Sequence, residues 1–224
     1  MIDKHKTANV NQVSSLKTIQ LGPHIVASEA SDELIKILLQ KGNEVRTPEN
    51  DFTKKLAGRI KHEYTYGENT DWFVSMFHDH VANYLRTTPW GSTRKCLDKM
   101  DVVNWELSSL WINYQKSKEY NPPHNHLGDL SFIIYPKIPK DISKETSNDS
   151  VSPGNIVFEY GDKHFSQFLS FNNVGANIEP YDGLIIIFPA WLSHHVYAFE
   201  SDVERVSVSG NIKIKHDFLK LTEN

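Results

Sequence analysis

Two kinds of periodicity divide the chain. Leu34, Ile35, Leu38 and Leu39 form an apolar stripe with helical spacing, which predicts a helix from Ser28 or Ser31 to Lys41, with Gly42 as its stop. Phe73, Phe77, Val81 and Leu85 recur every fourth position, with Trp72, Val74 and Tyr84 widening the face. They predict a second helix from Glu68 to Leu85, ended by Thr87-Thr88-Pro89-Trp90-Gly91. Thr18 to Ala27 reads as a strand interrupted at Gly22-Pro23, residues 1–17 are polar, and 43–67 show no single period. From Asp101 onward short β-type runs alternate with turn residues, at about 101–107, 109–116, 130–138, 155–160, 174–179, 183–188, 195–200 and 204–215. This predicts a mainly β protein with flanking N-terminal helices: residues 1–100 as a supporting extension, 101–224 as the core, and one structural domain overall.

Two of the apolar runs deliver histidines. Asn121-Pro122-Pro123-His124-Asn125-His126-Leu127-Gly128-Asp129 leads straight into Leu130-Ser131-Phe132-Ile133-Ile134-Tyr135. Two prolines hold the approach extended. Residues two apart in an extended segment point the same way, so His124 and His126 can face one point. Gly128 lets the chain turn into the strand. Leu184-Ile185-Ile186-Ile187-Phe188-Pro189 is a second apolar run, with His194 and His195 just past its end. Arg205-Val206-Ser207-Val208-Ser209-Gly210-Asn211 then alternates, and its set Arg205, Ser207, Ser209 and Asn211 is a polar face suited to line a cavity. Arg205 is costly to bury in such a strand unless an anion meets it.

In order along the chain, Trp111-Ile112-Asn113-Tyr114-Gln115, the stretch Asn121 to Tyr135, Phe188 to His194, and Arg205 to Asn211 resemble the iron(II)/2-oxoglutarate-dependent oxygenases. The likeness is greatest to the prolyl-4-hydroxylase-like branch and to the related oxygenases of bacteria and tailed phages, and it spans residues 105–215. It implies a double-stranded β-helix (jelly roll) in which the histidines end core strands. It also implies His124 and His194 as Fe(II) ligands and Arg205 as the anchor for the distal carboxylate of 2-oxoglutarate. Ser207 and Tyr135 stand beside that anchor, and Asn113 and Gln115 line the pocket. The implied reaction decarboxylates 2-oxoglutarate to succinate and carbon dioxide with dioxygen, and oxidises a substrate C–H bond.

The sequence departs from the family pattern at one position. The usual motif, His-x-Asp or His-x-Glu, supplies two histidines and a carboxylate; here the third position is His126. Three arrangements are open: His126 as third ligand, Asp129 swinging in, or only two protein ligands with water. The offset from His124 favours His126. The residue types suit the chemistry, since imidazole binds borderline metals in its neutral form and a planar guanidinium grips a carboxylate through two parallel hydrogen bonds. Two other classes compete: a cupin-like three-histidine enzyme without a 2-oxoacid, and a non-catalytic jelly-roll binding module. The first leaves Arg205 unexplained.

Composition narrows the setting. The 224 residues carry a formal net charge of −4, which gives nucleic acid or anionic membrane no general attraction. A single cysteine, Cys96, excludes an internal disulfide and fits a reducing compartment. No apolar stretch reaches the length of a membrane span and no signal-peptide core opens the chain, so a cytoplasmic location is expected, in a host cell if the source is a phage. The polar stretch Pro139 to Pro153 is a candidate lid. His78 and His80 look like a ligand pair but fall in a helix, where their rings diverge. Trp191 is expected to pack under the distal histidine. The substrate, a peptide or a small molecule, is not written in any motif.

Overall fold

The computed structural model describes residues 22–88, 103–145, 152–161 and 175–215. Ten strands form two antiparallel sheets: β1 (Val26–Glu29), β2 (Glu63–Thr65), β3 (Trp105–Gln115), β4 (Asn121–His124), β5 (Leu130–Lys137), β6 (Ile156–Glu159), β7 (Gly175–Ile178), β8 (Leu184–Pro189), β9 (Ser193–Val196) and β10 (Arg205–Ile214). The six-stranded sheet runs β1-β8-β5-β10-β3-β2, and the four-stranded sheet runs β4-β9-β6-β7. This is the expected jelly roll.

The apolar runs are continuous because the large sheet is covered on both faces. Ile133, Tyr135, Leu184, Ile186 and Phe188 point inward and meet Ile156, Phe158 and Val196 of the small sheet. Their neighbours Phe132, Ile134, Ile185 and Ile187 point the other way, into a cluster with Leu34, Leu38, Phe73, Phe77 and Val81. Those last five come from α1 (Asp32–Glu44) and α2 (Asp71–Thr87), which buttress the outer face. The Phe73 and Phe77 rings lie 5.3 and 4.5 Å from Phe132.

Local chemistry explains the helix boundaries. The Ser31 hydroxyl accepts the Leu34 N–H at 3.2 Å, and Asp32 and Glu33 fill the first turn. Gly42 is not the stop. It lies inside α1, where a Cβ would run into Ile112 and come within 2.9 Å of the Tyr114 hydroxyl. A glycine is there because α1 packs almost onto β3, and the helix continues to Glu44. On α2 the two histidines diverge as expected: His78 Nδ1 accepts from the Trp105 indole at 3.3 Å, and His80 Nδ1 pairs with the Ser28 hydroxyl at 3.0 Å.

Several strands differ from the sequence expectation. The runs expected at 101–107 and 109–116 join into one strand, β3, which starts at Trp105, with residues 101–102 outside the described residues; the ladder steps from Asn211 opposite Ser109 to Ile212 opposite Leu107, so Ser108 is an extra residue bulged out rather than a turn. The run expected at 195–200 is β9, which starts at Ser193 and ends at Val196. Pro122 and Pro123 sit within β4, tolerated because β4 is an edge strand. The expected N-terminal strand is found at Val26–Glu29, with residues 18–21 outside the described residues. Of the candidate lid, Ile142–Lys144 is a single 3₁₀ turn and the Glu145 carboxylate accepts from the Glu200 and Ser201 N–H groups at 2.9 and 2.8 Å. Residues 146–151 lie outside the described residues. Among the described residues no helix is long and apolar enough to cross a membrane.

Candidate metal centre

Three backbone contacts pin the histidine loop. The His126 N–H donates to Ala190 O at 2.9 Å, the Ala190 N–H to Asp129 O at 3.1 Å, and the Asp129 N–H to Ile212 O at 2.9 Å. Gly128 turns between them at φ +117°, where a Cβ would come 3.0 Å from Ile212 O. The loop is thereby tied both to the turn after β8 and to β10. In the β4–β9 ladder His124 stands directly opposite His194. The distal histidine does not end the apolar strand: the chain crosses sheets through Pro189 to Leu192, and His194 lies in β9.

The three rings converge. Centroids lie 4.3 Å apart for His124 and His194, 5.0 Å for His124 and His126, and 5.2 Å for His126 and His194. One ring nitrogen from each falls within 4.8 Å of the others. His124 Nδ1 is 2.7 Å from Pro122 O, and His194 Nδ1 is 2.9 Å from Leu192 O. A carbonyl only accepts, so both Nδ1 atoms carry the proton and both Nε2 atoms keep a free lone pair. Burial lowers the pKa of all three histidines, to about 4 for His126 and about 3 for His194, with mutual repulsion adding to the effect. They are neutral at physiological pH, which is the form a metal requires. Trp111, Phe188 and Phe158 wall the cluster at 5.7, 4.9 and 5.8 Å from its rings. Three neutral imidazoles are a donor set that fits a borderline divalent ion such as Fe(II).

Other candidates separate from the cluster. The Asp129 carboxylate accepts the Ile214 N–H at 2.7 Å, so it serves the β10 terminus rather than the histidines. His195 faces the opposite side of β9, its ring 4.9 Å from Tyr197. Trp191 does not pack under the distal histidine; it is 54% exposed, beside Tyr160, because the crossing turn carries it outward.

A cavity runs from the histidines along the inner face of the large sheet, lined by Trp111, Asn113, Arg205, Ser207 and Ser209. Arg205 is 2% exposed. Nη1 donates to Gln115 Oε1 at 3.0 Å, and among the described residues Nε and Nη2 are buried with no partner at hydrogen-bond geometry. Gln115 is itself held by donating to Glu119 O at 2.6 Å, so it positions the guanidinium. Among the described residues Arg205 has no salt bridge, and neighbouring Glu204 pairs with Arg46 at 2.8 Å. Tyr135 is fully buried 4.9 Å below the guanidinium, with its hydroxyl unpartnered. Burial pushes it up to about 12, against the pull of the Arg205 cation. Asn113 donates to Ser207 Oγ at 3.2 Å.

One cavity residue escaped the sequence reading. Glu63, on the three-residue strand β2, is 1% exposed and lines the same cavity. Its only signal was an acidic residue in a stretch without a period, which is no signal until β2 is seen to pair with β3.

The fold is a jelly roll, and its three clustered histidines could hold a metal ion. Residues 109–211 match the family model described as "Putative 2OG-Fe(II) oxygenase". The match covers just under half of the chain and supports the 2OG-Fe(II) oxygenases, a family of oxidoreductases working with Fe(II), 2-oxoglutarate and dioxygen. A comparison with curated proteins finds no match. Among solved structures the fold resembles a Pseudomonas putida prolyl-4-hydroxylase (10% identity, 86% of this chain and 94% of that one, TM-score 0.52). It also resembles a Trichoplax adhaerens prolyl hydroxylase in complex with a hypoxia inducible factor peptide fragment (9% identity, 90% and 88%, TM-score 0.50). A third is the non-heme alpha ketoglutarate dependent epimerase SnoN from nogalamycin biosynthesis (11%, 86% and 79%, TM-score 0.52).

Proposed function

We propose that His124, His126 and His194 hold the Fe(II), and that Arg205 anchors the distal carboxylate of 2-oxoglutarate. The observation that carries this reading is the buried, half-satisfied guanidinium of Arg205 on the cavity that the three histidines close. A buried cation with two unpartnered N–H positions calls for an anion, and a carboxylate matches the fork. The Tyr135 hydroxyl beneath the guanidinium is a further unpartnered donor, and Ser207 lines the cavity with Arg205. The bond of the Asp129 carboxylate to the Ile214 N–H, and the grouping of His126 with the other two histidines, favour His126 over Asp129 as the third ligand.

Bound iron supplies the oxidation of 2-oxoglutarate by dioxygen and the attack on a substrate C–H bond. The chain's residues do the rest. Pro122 O and Leu192 O fix the tautomers of His124 and His194. Gln115 aims the guanidinium, which sets how deep the 2-oxoacid sits. Trp111, Phe158 and Phe188 keep the histidine end dry. A neutral triad leaves the metal more positive than one with a carboxylate, which favours a dianionic chelator. The substrate is a peptide or a small molecule, and the reaction is hydroxylation; peptidyl proline is the first substrate to assay.

An anaerobic titration tests the assignment. Fe(II) is added to one equivalent, then 2-oxoglutarate, and the weak visible charge-transfer band of a chelated 2-oxoacid is followed. The band should saturate at one equivalent, and Arg205→Met should weaken its dissociation constant at least ~100-fold, as loss of a charge-assisted pair does. Iron binding without a band would remove 2-oxoglutarate from the assignment.

A further inference from the structure

The cavity has two chemically opposite ends. Towards Arg205 the unpartnered atoms are donors: Nε and Nη2 of Arg205 and the Tyr135 hydroxyl. Towards β2 they are acceptors: Glu63 Oε2 and Asn113 Oδ1. Glu63 stands opposite Asn113 in the β2–β3 ladder, so the two side chains share the inner face. Asn113 is 3% exposed, and its amide nitrogen is already committed to Ser207. Gly58 closes over the carboxyl; a Cβ there would sit 3.2 Å from Glu63 Oε1 and collide with the Asn121 side chain. No lysine or arginine among the described residues pairs with Glu63, whose charged neighbours are Asp51 and Glu119, both acidic. Those two are occupied elsewhere, Asp51 with the Thr53 N–H and Glu119 with the N–H groups of Lys61 and Lys116.

Two buried, unpartnered oxygens beside two further carboxylates suit a group that donates hydrogen bonds and carries positive charge, since such a group also holds Glu63 in its acceptor-only, ionised form. Ammonium and guanidinium are such groups; a hydroxyl or a carboxylate is not. We propose that Glu63 and Asn113 form the substrate-recognition subsite, and that the substrate presents a protonated amine or a guanidinium to it. The inference rests on the assignment above, which gives the donor end to 2-oxoglutarate and leaves the acceptor end to the substrate. In the empty cavity burial and the two neighbouring carboxylates push Glu63 up to about 8, so it is largely protonated at neutral pH. An entering cation stabilises the carboxylate, and binding expels that proton to solvent.

The test is anaerobic calorimetry on the Fe(II)- and 2-oxoglutarate-loaded protein near pH 7, with n-butylammonium and n-butylguanidinium as cationic probes and pentanamide and pentanoate as controls. At least one cation should bind ten-fold or more tighter than either control. Titration in buffers of different ionisation enthalpy should show net proton release. Glu63→Gln, which mimics the protonated side chain and so keeps the fold, should lose both the preference and the proton release while its charge-transfer band matches wild type. Equal binding of the controls, no binding of either cation, or a preference that survives Glu63→Gln would overturn the inference. Failure of the band in the wild type would instead strike the iron and 2-oxoglutarate assignment, and the same titration of the metal-free protein then still reads Glu63 directly.

Discussion

The Arg205 guanidinium carbon lies 4.9 Å from the centre of the Tyr135 ring, and both side chains hold buried polar atoms with no partner. Such an arrangement costs stability in the free protein and is relieved by a ligand. On the anchor role proposed for Arg205, the carboxylate of 2-oxoglutarate is that ligand, and the same group that costs stability is the one that binds.

Stability should therefore track the co-substrate. Wild-type protein loaded with metal should gain ~2.7 kcal/mol at 2-oxoglutarate concentrations 100 times the dissociation constant. Arg205→Met should show no such gain. Without 2-oxoglutarate it should be as stable as wild type or more so, since an unpaired buried cation is replaced by an apolar chain of similar length. Thermal unfolding of both proteins with and without 2-oxoglutarate measures this; a strongly destabilised, ligand-responsive Arg205→Met would contradict it.

The histidine triad makes a separable prediction about metal. His124→Ala and His194→Ala should each lose stoichiometric Fe(II) after gel filtration, with affinity down at least ~100-fold, more than the 10–100-fold that losing only a supporting hydrogen bond costs. His126→Asp should retain the metal, because it converts the site to two histidines and a carboxylate on the same offset. Asp129→Asn should leave metal content unchanged, as its carboxylate serves the Ile214 N–H. Metal analysis of the four variants decides whether His126 or Asp129 is the third ligand.

The chemistry of the site was more legible than its frame. His124, His126, His194 and Arg205 could be picked out because rare polar types interrupt apolar runs, and period-two alternation on β10 placed Arg205, Ser207 and Ser209 on one face. What escaped depended on pairing between distant segments. Ser108 read as a break between two strands because its polarity says nothing of a bulge in the ladder with β10. Gly42 read as a helix stop because its reason, contact with Ile112 and Tyr114, lies 70 and more residues away. Glu63 carried no mark at all, since a three-residue edge strand has too few positions to show a period.

Gly210 ties the outer packing to the cavity wall. It stands between Leu110 of β3 and Phe132 of β5, and a Cβ there would lie 2.5 Å from the Phe132 ring and 2.6 Å from Ser109 O. Backbone cannot retreat, and Phe132 is stacked between the sheet and Phe73 and Phe77. Gly210→Ala should destabilise by about 1–3 kcal/mol, the usual cost of overpacking a core. Chemical denaturation measures it, and a change within ~0.5 kcal/mol would show that the strands can part more easily than their ladder implies.

Glu63 gives the protein a pH signature independent of any ligand. Its ordinary value is 4.5, and burial next to Glu119 and Asp51 raises it to about 8 in the folded state. Between those two values the folded protein holds a proton that the unfolded chain releases. Its contribution is complete below about pH 4.5 and is lost as pH rises through about 8. At about 1.4 kcal/mol per pKa unit the full effect is about 5 kcal/mol as an upper bound. Glu63→Gln cannot ionise, so its stability relative to wild type should improve steadily from about pH 5 to about pH 9. Urea unfolding of both proteins across that range is the measurement. Parallel curves would mean that Glu63 ionises normally and that water reaches the acceptor end of the cavity freely; diverging curves would establish the buried, protonated carboxyl on which recognition of a cationic substrate depends.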